Sequence, residues 1–151
     1  MDSTPKIKVF KDIENLKQLL SKNEIGGFRP WRYDGYKWIS FSDYFNFGTP
    51  RKGSNLQNNL AYYISSDDEH FAQEIKLVLN ITNPEESKDA LGNFIRIALK
   101  TFSVLDLTPP QNMLTSLTDS VEFEHEDENY LWGLKILKSN VDSRSLTIRS
   151  K

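Results

Sequence analysis

Between residues 71 and 105 the apolar pattern changes its period within a few positions, and that change limits the fold more than any other stretch. Phe71, Ile75, Leu77, Leu79 and Ile81 keep a strand's two-residue spacing, while Glu74, Lys76 and Asn80 point the other way. Asn83-Pro84-Glu85-Glu86 then reads as a helix start. Asn caps, Pro at the first helical position loses no needed donor, and Glu86 stands where a capping box wants an acid. Leu91, Phe94, Ile95, Ala98, Phe102 and Leu105 recur at spacings of three and four, predicting a helix over about 84–105 with one apolar stripe. A half-apolar strand running into a half-apolar helix is stable only if the two faces cover each other.

The rest of the chain supplies matching parts. Ile13, Leu16, Leu19 and Leu20, with Asp12 as cap, predict a helix over 12–22; residues 6–10 alternate and read as a short strand or as that helix's first turns. Residues 28–41 predict a hairpin around Asp34-Gly35, and 49–59 a polar loop. Leu60, Tyr62 and Ile64 mark a strand, turned by Asp67-Asp68. Thr108-Pro109-Pro110-Gln111 repeats the helix-start grammar for a short helix near 109–117. A second hairpin follows over 121–126 and 130–137, then a last short strand over 145–148. Strands clustered between helices indicate α+β: a mainly antiparallel sheet of about 5–7 strands with the long helix on one face. Leu60, Tyr62, Ile75, Leu77, Leu79, Trp132, Leu134 and Ile136 are the expected core, and the opposite sheet face is expected to be wet. With 151 residues and no linker, one domain over 1–151 is the simplest division.

Composition removes several function classes. The chain has no cysteine, so disulfides, zinc ribbons and thiolate nucleophiles are out. A formal charge of −2 argues against nucleic acid as a partner. No apolar run approaches the ~20 residues of a transmembrane helix. Residues 1–5 carry neither a basic start nor an apolar stretch, which as written points to the cytoplasm. A periplasmic or secreted protein, cut or lipidated just before Asp2, is the competing expectation.

Nine of the 18 aromatic residues fall between 28 and 47. A two-residue turn would pair Tyr33 with Tyr36 and Trp31 with Trp38, placing all four on one face with Arg29. Phe28, Ile39 and Phe41 would fall on the other. Both faces then carry large apolar groups; one can pack on the domain core, and the other is either covered by Tyr44 to Phe47 and the first helix or left exposed. Trp, Tyr and Arg dominate interface hot spots, so the surplus face reads as a contact surface. From Asp119 to Glu128 there are six acids and no base. On a strand, Glu122, Glu124 and Glu126 share one face, which must be solvated or meet a basic partner. Residues 131–151 hold five bases and one acid, and pairing inside the sheet is the simplest use of that asymmetry.

Neither His70 nor His125 belongs to a catalytic or metal-binding spacing, so no catalytic residue, metal or cofactor is assigned. The order of elements is similar to that of small bacterial α+β binding proteins such as secretion chaperones and toxin-neutralising immunity proteins. That likeness concerns architecture alone. The expectation is a non-catalytic protein-binding domain that meets a basic protein surface through Arg29, Trp31, Tyr33, Tyr36, Trp38, Glu122, Glu124 and Glu126. A small-ligand or carbohydrate site lined by the same aromatics, and a carboxylate-based hydrolase, are the alternatives.

Overall fold

In the computed structural model, which describes residues 4–139 and 141–151, one antiparallel sheet carries the whole molecule. The expectations about residues 1–3 lie outside the described residues. The described residues form eight strands: β1 (Arg32–Tyr33), β2 (Trp38–Phe41), β3 (Phe45–Phe47), β4 (Asn58–Ser66), β5 (Glu74–Ile81), β6 (Phe123–Glu126), β7 (Tyr130–Leu137) and β8 (Asp142–Ser150). Their order across the sheet is β1-β2-β4-β5-β8-β7-β6, and β3 pairs with the first half of β4. Three helices accompany them: α1 (Ile13–Ser21), α2 (Ser87–Val104) and α3 (Met113–Asp119). A 3-10 turn, Pro84–Glu86, leads into α2. Among the described residues no helix is long and apolar enough to cross a membrane.

The α+β architecture follows the predicted pattern. Leu60, Tyr62 and Ile64 on β4 stand opposite Leu79, Leu77 and Ile75 on β5. Ile75 and Leu77 in turn meet Ile148 and Leu146 on β8, which meet Trp132 and Leu134 on β7. This face is buried, with Ile136 at its margin, and Phe94, Ile97, Ala98 and Phe102 of α2 pack into the same core. Asn83 caps the helical segment by accepting from the Glu85 amide at 3.3 Å. α2 ends in a Schellman motif, in which Leu107 N donates to Phe102 O and Asp106, at φ 57°, takes the left-handed position.

Among the boundaries that differ from expectation, four have a plain physical reason. The short helix begins at Met113 and not near 109, because Pro110 keeps the residue before it out of the helical region. β5 starts at Glu74, so Phe71 is not part of it; the backbone of 67–73 is instead tied by Asp68, Gln73 and the Phe10 carbonyl, and Ala72 takes the buried place. Residues 8–11 form a 3-10 turn, and Lys6 N donates to Lys151 O at 2.7 Å, which lays that segment beside β8. β8 itself runs over nine residues and lies inside the sheet, between β5 and β7, although the sequence marks only 145–148. Its inward Arg144 is nearly buried; Nε donates to Ser120 Oγ at 3.2 Å, where α3 ends and the helix dipole favours a cation.

One buried polar chain ties the layers together. Asn23 Nδ2 donates to the Tyr62 hydroxyl at 3.0 Å, and Thr101 Oγ1 donates to Ile97 O. Tyr62 must therefore donate to Thr101 Oγ1, 2.6 Å away. Burial pushes the Tyr62 phenol up to about 12 from a usual value near 10, against the lowering effect of Thr101 and Asn23. The folded state thus favours the neutral phenol. Its contribution is whole below pH 10 and is lost between pH 10 and 12, about 2–3 kcal/mol for a shift of this size. Urea melts followed by far-UV circular dichroism across that range should show the loss, and Tyr62→Phe should remove this component of it.

Candidate functional site

The hairpin that was expected to be the contact surface forms, but with a different turn. Asp34 Oδ1 accepts from the amides of Tyr36 and Lys37 at 2.9 and 2.8 Å, and Asp34 N donates to Lys37 O. Those two amides hold the Asp34 carboxyl below its usual range. The side chain thereby closes a four-residue loop, Asp34 to Lys37, with Gly35 at φ 103°. Register corrects accordingly: Tyr33 pairs with Trp38 and Arg32 with Ile39, so Tyr36 is in the loop and not opposite Tyr33.

This register sorts the aromatics differently. Trp38 opposes the buried Ser66, so it extends the core-bearing face of the sheet beyond its edge. Trp31 stacks on it at 6.4 Å and 24°, and Tyr33 leans on it at 5.8 Å. Trp31 Nε1 donates to Glu69 O at 2.9 Å, which fixes the stack to the β4–β5 loop. Phe28 does not share a face with Phe41; it stacks on the buried Tyr62 at 6.1 Å and packs, half-buried, against the core. Arg29 is not with the tryptophans either. Its guanidinium lies 5.3 Å from the Phe41 ring centroid and pairs with Asp43 at 2.6 Å. The two indoles are half-buried, whereas Tyr33 is 56% and Tyr36 87% exposed.

Glu122, Glu124 and Glu126 lie at the opposite margin. β1 and β6 are the two ends of the strand order, six spacings or about 29 Å apart. Hairpin and acidic strand are therefore two separate features. Two of the three glutamates already have partners inside the sheet: Lys135 Nζ is 3.6 Å from Glu124, and Lys151 Nζ 2.5 Å from Glu126. Glu122 accepts from Ile136 N at 3.2 Å. His125 does not pair with either neighbouring glutamate; it turns to the other face, 6.4 Å from the Trp132 ring. Among the described residues no group of three or more His, Asp or Glu is arranged to hold a metal ion.

The helix-free face of the sheet contains a depression of about 630 Å³. Its floor is Gly133 and Thr147, which pair across β7 and β8. Arg149, Lys76 and Glu74 rise on one side, Lys135, Glu124 and Glu126 on the other. A neighbouring depression of about 240 Å³, lined by Lys37, Ile39, Phe41 and Tyr63, meets it at Glu74 and Lys76. Burial and the adjoining Tyr44 phenol push Tyr63 up to about 12. Sequence reasoning passed over Gly133, Lys76 and Arg149. The available signal was a lone glycine inside an alternating strand, which marks a missing side chain on one face.

The chain matches no family model, no curated protein and no solved structure.

Proposed function

We propose that the chain is a non-catalytic protein-binding domain, similar in mode of action to chaperones or immunity proteins, with the β1–β2 hairpin as its anchor. The observation that supports this most is the exposure of Tyr33 and Tyr36, at 56% and 87%, on a hairpin that is otherwise held still. The Trp31–Trp38 stack, the Glu69 carbonyl and the Asp34 carboxylate fix its base and its loop. Rigid phenols lose little conformational entropy on binding, so their apolar area converts efficiently into affinity. The acidic margin acts at longer range. With Glu124 and Glu126 partly neutralised, Glu122, Asp127 and Glu128 carry most of its pull on a basic partner.

The test compares wild type with Tyr33→Ala/Tyr36→Ala as bait in a lysate of the native host. Circular dichroism should show both baits equally folded, since neither phenol belongs to the core. A protein retained by wild type and weakened at least ~30-fold by the double variant is the expected result for hot-spot residues. Equal retention by both baits would remove the hairpin as anchor. Glu122→Lys should slow association with that protein and leave dissociation nearly unchanged.

A further inference from the structure

The charges of the helix-free face are not balanced once its internal pairs are subtracted. The two joined depressions are lined by four cations, Lys37, Lys76, Lys135 and Arg149, and three carboxylates, Glu74, Glu124 and Glu126. Lys135 is taken up by Glu124, and Glu126 by Lys151 from outside the lining. Lys37, Lys76 and Arg149 carry no ion pair among the described residues. Glu74 accepts a hydrogen bond from Ser65 Oγ at 3.3 Å, and it pairs in register with Arg149 without forming an ion pair. Three unmatched cations thus face one free carboxylate, along a trough floored by Gly133 and Thr147 and bordered by Ile39, Phe41 and Tyr63.

We propose that this trough receives an acidic, extended segment of the partner protein. Side-chain carboxylates of the segment meet Arg149 and Lys76, and its apolar residues lie on Phe41 and Tyr63. The inference rests on the protein-binding reading and specifies the chemistry of the contact: the partner places acid in the trough, whatever it presents to the acidic margin. A polypeptide fits better than a nucleic acid, because it can leave a gap in its charge beside Glu74, whereas a phosphate chain is continuously negative. Gly133 keeps the floor open. A Cβ there would sit 3.2 Å from the Phe123 carbonyl and 3.7 Å from Glu124 Cγ, beneath the place where the segment would run.

Amide chemical shifts of the labelled protein, recorded with three probes, test this directly. The probes are a short peptide of alternating Glu and Leu, a Lys–Leu peptide of equal length, and an oligothymidylate of similar charge. The Glu–Leu peptide is expected to shift Lys76, Gly133, Thr147 and Arg149, and to lose at least ~10-fold in affinity on Arg149→Glu or on raising the salt. No shift at those positions, or a stronger response there to the Lys–Leu peptide or the oligonucleotide, overturns the proposal. In the lysate experiment, Arg149→Glu should also release the retained protein. If Arg149→Glu still holds a protein that Tyr33→Ala/Tyr36→Ala has lost, the trough proposal fails and the binding reading stands. If neither variant releases it, both fail.

Discussion

Asn58→Ala is expected to destabilise the protein by about 3–5 kcal/mol, from the loss of a single buried carboxamide. Asn58 Oδ1 accepts from Thr82 N at 2.7 Å and Asn83 N at 2.8 Å, and its Nδ2 donates to Asn83 O at 3.3 Å. The residue is 1% exposed, so water does not replace it without opening the site. Each backbone group left unsatisfied costs about 1–3 kcal/mol. The damage would spread, because Asn83 continues the network: its Nδ2 donates to Thr49 O at 2.9 Å, and its side chain caps the start of the α2 segment. Glu86 also accepts from Thr49 N at 3.0 Å, and Gly48, at φ 73°, makes room for that carboxylate. A chain of this length should lose roughly 10 °C in Tm. Thermal melts would show it. A drop under about 1 kcal/mol would mean that the loop closes β4 onto the helix without Asn58.

Phe102→Ala should cost a similar amount, about 3–5 kcal/mol, by a different route. The Phe102 ring meets Tyr130 at 6.2 Å and Trp132 at 6.4 Å with interplanar angles of 64° and 89°, and it is fully buried. Removing it opens a cavity between α2 and β7 and strips two edge contacts at once. Trp132 Nε1 is a buried donor without an acceptor in the described structure, so the new space would border an unsatisfied N–H. Phe102→Leu keeps most of the volume and should lose no more than about half as much. Urea denaturation of the pair separates the cavity effect from the aromatic contacts; equal losses in both variants would show that ring geometry, not volume, is what matters here.

The parts of this fold that were legible in the sequence are those where one local rule decides the outcome. The alternation of Ile75, Leu77, Leu79 and Ile81 and the Asn83-Pro84 start of the helical segment both produced the elements they signal. The hairpin register was not legible in that way. Asp34-Gly35 suits a two-residue turn, but the Asp34 carboxylate binds two amides and lengthens the loop, moving every later residue of the hairpin to a new partner. β8 was undercounted because Arg144 occupies an inward position, and an arginine between serines gives no sign of burial. The distance between the aromatic hairpin and the acidic strand could not be read at all, since strand order is a matter of long-range pairing. The trough was hidden for a related reason: Lys76, Gly133 and Arg149 come from three different strands, and only pairing makes them neighbours.

The place of β8 between β5 and β7 makes it the strand that joins the two parts of the sheet. Among the described residues, strands β1 to β5 and the β6–β7 hairpin have no pairing with each other, and β8 is the seam between them. Until that seam is laid down, β5 and β7 each offer an unprotected margin to any neighbouring chain. Ile75 pairs with Ile148, a contact between remote parts of the polypeptide, and non-local pairings of this kind carry the largest loop-closure cost in folding. Crowded nascent chains would be most vulnerable to mutual association during that interval.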